Sequence, residues 1–491
     1  MKIHLNLRSL DSYRKFLAIK RLPIYSFSGR VAEFPDEYAD LVGMNASTQS
    51  TIKADVASHC FDYQRDIAKI AIAKEKYALY LDCGLGKSII YFEFAKHVLR
   101  VDGGGVLILC PLMVCSQMLA ECKRFYPDLP AEIVHSNKLS GWTSTSAGKI
   151  GISNFEAMRD DVERQQLSAL IVDESSILKS HFGKHGKEII RVGKGMRWKL
   201  SGTGTPAPND RIEFANHAVF LDQYPTVNAF LSKYFINRGE TQERWELRPH
   251  AVEPFYRSLS HWSIFMTNPA TYGWKDNCES IPPINVHIHD VDMTDSQRQS
   301  VRNATGSLFA HSVGGITQRT KLSKIAKGLD GSITVKYQYI LDLINSWPDE
   351  STIVWCWYNE EQKILADMMP AAASISGATK HEDRERLVDD FKSGRRRVMI
   401  SKPKVLGFGL NLQIATRQVF SSLIDSYEQY YQAVKRSNRY GSTKPLNVHI
   451  PVQDVERPMV ENVLRKASNV LRDTEEQERI FKQWRIRYAT T

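Results

Sequence analysis

Short apolar runs ending at turn residues, alternating with amphipathic stretches, most narrowly limit what this 491-residue chain can become. Tyr77–Leu81, Val106–Cys110, Ile150–Ser153 and Ala169–Val172 read as buried strands. Strands that are apolar on both faces need cover on both faces, which is the pattern of a parallel sheet between layers of helices. A second series follows at Ile284–Ile288, Thr352–Tyr358, Val398–Ser401, Val419–Ser422 and Val448–Val452. The expected fold class is therefore α/β, with two parallel sheets in tandem, each flanked by helices. At roughly 150 residues per domain, the length leaves room for both and for a third element.

That third element is residues 223–282, which carry eleven aromatics with six Lys/Arg and six Asp/Glu and no clear alternation of strand and helix. With the charges balanced, the aromatics are expected to pack a mostly helical insertion rather than to stack on bases. The expected division is a basic N-terminal segment 1–50, a first α/β domain 51–222, the insertion 223–282, a second α/β domain 283–455, and a charged helical tail 456–491. The tail reads as one or two surface helices.

Charge and cysteine content narrow the function. The 65 Lys+Arg against 55 Asp+Glu give a net charge of +10, and residues 1–30 hold seven basic side chains against the single acid Asp11. A polyanion such as DNA fits this excess, as does plain solubility. The seven cysteines form no CxxC pair and no zinc-spaced Cys/His group, so reduced thiols are expected. The longest apolar run, Val106 to Cys115, is broken by Pro111 and falls short of the roughly 18 residues of a spanning helix. The N-terminus lacks the apolar core of a secretion signal. The expectation is a cytoplasmic protein with no membrane partner.

Three motifs carry chemistry in the first half. Strand Tyr77–Leu81 runs into Asp82-Cys83-Gly84-Leu85-Gly86-Lys87-Ser88 and then a helical stretch. Gly84 and Gly86 allow a tight turn whose N–H groups point at phosphate, Lys87 adds a full charge, and the Ser88 hydroxyl suits Mg²⁺. A bland glycine turn has the same local composition, and Leu81 stands where the strict pattern has a further glycine. Asp173-Glu174-Ser175-Ser176 follows the strand Ala169–Val172, at the strand end where ligands bind in open α/β sheets. There Asp173 can fix Mg²⁺ and Glu174 can activate a water; capping of the next helix is the structural alternative. Thr203 to Asn209, TGTPAPN, offers small hydroxyls that can bond the acidic motif, or is an ordinary Gly/Pro turn.

The second half supplies Gln432 to Gly441, QAVKRSNRYG. If this stretch is helical, positions 432, 436 and 439 share one face. Two guanidiniums side by side suit an intervening anion such as a triphosphate, and a solvated basic face is the alternative. Arg395-Arg396-Arg397 and Lys402-Pro403-Lys404 read either as part of a DNA track or as solvated strand ends.

The ordered set Phe61-Asp62-Tyr63-Gln64-Arg65, DCGLGKS (82–88), DESS (173–176), TGTPAPN (203–209), GFGLNL (407–412) and QAVKRSNRYG (432–441) resembles superfamily-two helicases. Within them it is similar to Swi/Snf-type DNA translocases, and most of all to the compact DEAD/DEAH-like helicases of bacteriophages and prophages. The resemblance implies two RecA-like domains with ATP and Mg²⁺ as cofactors, ATP being hydrolysed in a cleft between the domains. By the same resemblance, Gln64 reads adenine, Phe61 flanks the base, and Gly84, Gly86, Lys87 and Ser88 bind phosphates and metal. Asp173 and Glu174 serve metal and hydrolysis, Gln432 and Gly409 complete the nucleotide site, and Arg436 and Arg439 act as arginine fingers. Nucleic-acid contacts fall on Pro111, Leu112, Ser153, Asn154, Thr203, Ser376, Gly377 and Asn411. The implied function is an ATP-dependent DNA translocase or helicase acting on duplex or branched DNA in phage DNA metabolism. The alternatives are a true strand-separating enzyme, a non-catalytic DNA-binding scaffold with a decayed nucleotide site, and an RNA remodeller. The DESS ending and the absence of a final glutamine after Arg439 depart from the family pattern.

Overall fold

The computed structural model describes residues 2–6, 8–22, 25–34, 39–44, 54–179, 183–239, 244–275, 281–305, 315–406, 410–423, 426–439 and 441–489. The chain divides into two compact units, Met1–Asn277 with Arg472–Thr491, and Cys278–Leu471.

The first unit opens with a small fold of its own. Strands β1 (Lys2–His4), β2 (Ser26–Ser28) and β3 (Val31–Glu33) form an antiparallel sheet in the order β1-β3-β2. Helix α1 (Leu10–Lys20) starts at Ser9, whose Oγ accepts the Ser12 N–H at 3.3 Å. Leu5, Ile19, Leu22, Ala32, Phe34 and Val42 make its core. The stretch read from sequence only as a basic segment is thus a folded element.

The main sheet of this unit has seven strands. They are β4 (Lys76–Leu81), β5 (Gly105–Cys110), β6 (Ala131–Ile133), β7 (Ile150–Asn154), β8 (Leu167–Asp173), β9 (Trp198–Gly202) and, after a hairpin β10–β11 (Phe235–Asn237, Trp245–Leu247), β12 (Ser263–Met266). The order is β12-β4-β9-β8-β5-β7-β6, and every neighbouring pair is parallel. Because β4, β9 and β8 are adjacent and parallel, the loops after Leu81, Gly202 and Asp173 leave the sheet along one edge. That edge brings the three first-half motifs together.

Residues 223–282 depart from the expected separate, mostly helical insertion. They hold helices Val227–Tyr234 and Val252–Trp262, but also the β10–β11 hairpin and β12, which joins the main sheet beside β4. The aromatics do pack: Tyr224, Phe230, Tyr234, Phe235, Phe255, Tyr256, Trp262 and Phe265 lie in the same core as Leu170 and Val172. The charged tail is one helix, Arg457–Ala489, and not simply a surface element. Its Ile480 and Phe481 are buried in the first unit's core and its Val460 and Val463 in the second's.

The second unit is built on β13 (Ile284–Asp290), β14 (Thr352–Trp355), β15 (Ala373–Ile375), β16 (Val398–Ser401), β17 (Arg417–Phe420) and β18 (Leu446–Val452). Their order is β13-β18-β17-β14-β16-β15, again parallel throughout. Two sheets of this kind, covered by helices, are the tandem RecA-like domains expected from the sequence. A buried ionic knot lies in this unit: Lys327 and Lys336 donate to the two oxygens of Glu456 at 2.5 and 2.6 Å, all three side chains almost without solvent exposure. Burial alone would raise the Glu456 carboxyl, but the two lysines outweigh it and hold the carboxyl at about 2. No helix among the described residues is long and apolar enough to cross a membrane.

Candidate active site

The glycine loop begins where β4 ends and closes at the start of helix α3 (Lys87–Val101). Gly84 and Gly86 have φ of 89° and 66°, the left-handed region that side chains resist. At Gly86 space is also decisive, since a Cβ there would lie 2.3 Å from Gln64 Nε2. Gln64 sits on helix α2 (Asp62–Lys74), accepts the Phe61 N–H at 3.0 Å and donates to the Leu85 carbonyl at 3.3 Å. Tyr63 Oη donates to the same carbonyl at 3.1 Å. Gln64 is therefore tied to the glycine loop, while Phe61 is exposed and stacks on Tyr63 with centroids 5.9 Å apart. The helix N-terminus and the Lys87 ammonium give this turn the positive potential and donors that suit a phosphate. Lys87 Nζ donates to the carbonyls of Leu81, at 2.9 Å, and Asp82, at 3.4 Å.

Across the sheet edge, Asp173 closes β8. Its Oδ1 accepts the hydroxyl of Tyr91 at 2.9 Å. Tyr91 lies one turn after Ser88 on α3, so the Ser88 face of the helix turns toward β8. Gly202 admits the tyrosine, because a Cβ there would meet Tyr91 Oη at 1.9 Å. Burial pushes the Asp173 carboxyl above the ordinary range, opposed by the charge of Lys87, the Tyr91 hydroxyl and the Glu174 N–H. A buried carboxylate and a hydroxyl are hard oxygen donors, and a dication beside Asp173 would relieve its burial cost. The residues present fit Mg²⁺.

Glu174 adopts φ of 48°, a strained conformation for a residue with a side chain. Its Oε2 accepts the Thr203 hydroxyl at 3.2 Å. Thr203 is pinned in turn, its N–H donating to the Leu79 carbonyl at 3.0 Å and its Oγ1 accepting the Thr205 N–H at 3.1 Å. The acid is thereby wired to the loop after β9 and to strand β4. Tyr91 is the residue of this candidate site that motif reading missed. Its signal was its place four residues after Lys87, on the same helical face.

In the second unit, helix Tyr427–Val434 stops before the arginines. The expected single helical face for positions 432, 436 and 439 is therefore corrected: Arg436 and Arg439 stand on the turns that follow. Ser437 and Asn438 hold those turns, Ser437 Oγ accepting from Gln418 Nε2 and Asn438 Nδ2 donating to the Pro282 carbonyl, both tertiary bonds that compete with a helix. Gln432 and Arg436 are buried and still meet, Nη2 to Oε1, at 3.4 Å. The Leu412 N–H donates to the Arg436 carbonyl at 3.0 Å, joining the end of GFGLNL to the arginine turn. Gly409 lies outside the described residues.

The nucleic-acid readings divide. Leu112, Gly377 and Asn411 are exposed and Ser376 half-exposed. Pro111, Ser153, Asn154 and Thr203 are buried. Ser153 Oγ donates to the Val134 carbonyl at 2.7 Å, and Asn154 Oδ1 accepts from Ser136 Oγ and the Ala157 N–H. These bonds tie the end of β7 to the segment after β6. The triple arginine is also largely structural: Arg395 pairs with Asp390, Arg396 donates to the Ala371 and Ala372 carbonyls, and Arg397 to those of Ile344 and Trp347. Lys402 bonds Asn359 and Lys404 lies 5.1 Å over the ring of Trp357.

The model of the SNF2-related domain matches residues 63–345, and that of the helicase conserved C-terminal domain matches residues 335–441. The chain is 24% identical over 429 residues to the ATP-dependent DNA helicase DDM1 of Arabidopsis thaliana, covering 74% of this chain and 55% of that protein. It is 21% identical over 415 residues to the DNA annealing helicase and endonuclease ZRANB3 of Bos taurus, covering 79% of this chain and 38% of that one. Putative protein p41 of Acyrthosiphon pisum secondary endosymbiont phage 1 is 24% identical over 313 residues, 57% of this chain and 65% of its own. The chain thus spans about half the length or less of the first two relatives. Among solved structures, the SWI2/SNF2 ATPase core of Sulfolobus solfataricus in complex with dsDNA matches at 18% identity and a TM-score of 0.40, over 87% of this chain and 98% of that one.

Proposed function

The chain belongs to the SNF2-related helicase family, and from that premise we propose that it is an ATP-dependent DNA translocase serving bacteriophage DNA metabolism in a host cytoplasm. The observation that carries the reading is the convergence, along one sheet edge, of Lys87 on its glycine loop, the buried Asp173 and the strained Glu174.

In this mechanism Gly84, Gly86 and Lys87 hold the ATP phosphates, and Gln64 and Phe61 receive the adenine. Ser88 and Asp173 would hold Mg²⁺, which would supply neutralising charge at the phosphates. Glu174 accepts a proton from the attacking water, its carboxylate oriented by the Thr203 hydroxyl. Arg436 and Arg439, with Gln432 and Gly409, complete the site from the second unit and stabilise charge in the transition state. Leu112, Ser376, Gly377 and Asn411 contact the DNA backbone, where phosphate contacts serve movement because they carry no sequence information. Cycles of binding and hydrolysis then alternate the grip of the two units.

Phosphate release measured with linear duplex, forked, four-way and single-stranded DNA and with RNA, over a salt series, tests this. The expected result is turnover stimulated by DNA and not by RNA, with stimulation falling as salt rises. Absence of turnover with every nucleic acid would identify a scaffold instead, and stimulation by RNA alone an RNA remodeller.

A further inference from the structure

The N-terminal fold of residues 2–44 carries groups that the nucleotide site does not use. On α1 and its cap, Leu10, Tyr13, Arg14, Leu17 and Arg21 recur at intervals of three and four, and all are exposed. The opposite side of the helix holds the fully buried Ile19. One margin of the stripe continues into a row of rings. Phe16 lies 5.2 Å from Phe27, Phe27 lies 5.4 Å from the exposed Tyr25, and Lys20 Nζ stands 5.1 Å over Phe16.

The charges on this fold are unequal in their pairing. Lys2 meets Glu33 and Lys15 meets Asp11. Among the described residues, Arg8, Arg14, Arg21 and Arg30 have no acidic partner, so a positive field surrounds the rings. Guanidiniums bind phosphate in bidentate geometry. Exposed rings stack on bases whose faces are free, a condition that paired bases within a duplex do not meet. The aliphatic part of the face is only Leu10 and Leu17, with Arg14 and Arg21 beside them, which suits a nucleic acid better than an apolar partner helix.

We propose that this fold binds a stretch of unpaired DNA, its bases stacked on Tyr13 and Tyr25 beside Phe16 and Phe27, its phosphates held by Arg14, Lys20 and Arg21. The inference rests on the DNA-motor reading and adds the form of DNA that recruits the motor, one with a single-stranded branch or gap.

The test is fluorescence anisotropy of a labelled oligothymidylate and of a blunt duplex with the full chain, without nucleotide. Replacing Tyr13→Ala and Tyr25→Ala together should weaken oligothymidylate binding at least about tenfold, while duplex affinity and DNA-free ATP hydrolysis stay at parental values. Tyr13→Phe with Tyr25→Phe should restore binding. Arg14→Glu with Arg21→Glu should weaken it and flatten its salt dependence. Unchanged oligothymidylate affinity in the alanine pair would overturn the proposal, as would equal loss on duplex. Capture of phosphatidylserine vesicles or an acidic peptide in place of the oligonucleotide would overturn it too. A parent protein with this oligothymidylate behaviour but no ATP turnover contradicts the motor reading alone.

Discussion

Thr203 donates its hydroxyl to Glu174 Oε2 across 3.2 Å, so the loop after β9 holds the acid that follows β8. Both residues are constrained from elsewhere, Thr203 by the Leu79 carbonyl and Glu174 by its left-handed backbone. A shift of the TGTPAPN loop therefore reaches the Glu174 carboxylate, the proposed water activator, through one bond. Thr203→Val keeps the shape and removes the donor. A hydrogen bond to a charged group contributes about 1.5–3 kcal/mol, so DNA-stimulated kcat should fall by roughly 10- to 100-fold. Steady-state phosphate release, with ATP affinity measured in parallel and expected unchanged, checks this.

Tyr91 holds the carboxylate of Asp173, the proposed Mg²⁺ ligand. Tyr91→Phe removes the hydroxyl that Oδ1 accepts and leaves the ring. Loss of such an outer partner typically costs roughly 10- to 100-fold in metal affinity. The Mg²⁺ concentration for half-maximal ATP hydrolysis should rise in that range, with little change in thermal stability.

Gly86→Ala confronts both a positive φ and Gln64 Nε2 at 2.3 Å. The left-handed backbone alone costs about 1–2 kcal/mol for a residue with a side chain. Because the displaced groups are Gln64 and the phosphate loop itself, ATP binding should be lost while thermal unfolding shifts only modestly. Equilibrium binding of a fluorescent ATP analogue, beside a melting curve, separates the two effects.

Glu456 holds two buried lysines. Glu456→Gln leaves both charges without their carboxylate and should destabilise the protein by roughly 3–5 kcal/mol, read by denaturant unfolding. The pH dependence has a definite sign. The folded carboxyl lies at about 2 against an ordinary 4.5, so its stabilising contribution is complete above 4.5 and is lost as pH falls toward 2. The parent should lose stability over that window more steeply than the glutamine variant.

Much of this arrangement was legible in the residues. The nine strands read from apolar runs correspond to strands in the two sheets; eight are largely buried on both faces, which leaves a plain composition, and β13, exposed along nearly all its length, is the exception. The glycine loop and the acidic motif fell at strand ends, where chemistry is expected. What escaped was short or tertiary. β12 is only four residues, and its membership of the first sheet rests on pairing with β4, a contact no local pattern carries. The helical face drawn through Arg436 and Arg439 failed because Gln418 and Pro282 bind Ser437 and Asn438, ending the helix early. Ser153, Asn154 and Thr203 have the polarity of surface contacts but spend it on bonds within the protein.

The central proposal is that Arg436 acts on ATP held by Lys87. ATP affinity and single-turnover hydrolysis of Arg436→Ala, measured beside the parent in the presence of duplex DNA, test it most directly. The account predicts parental ATP affinity with hydrolysis slowed by roughly 10³-fold or more. Full hydrolysis, or equal loss of binding and turnover, would contradict it.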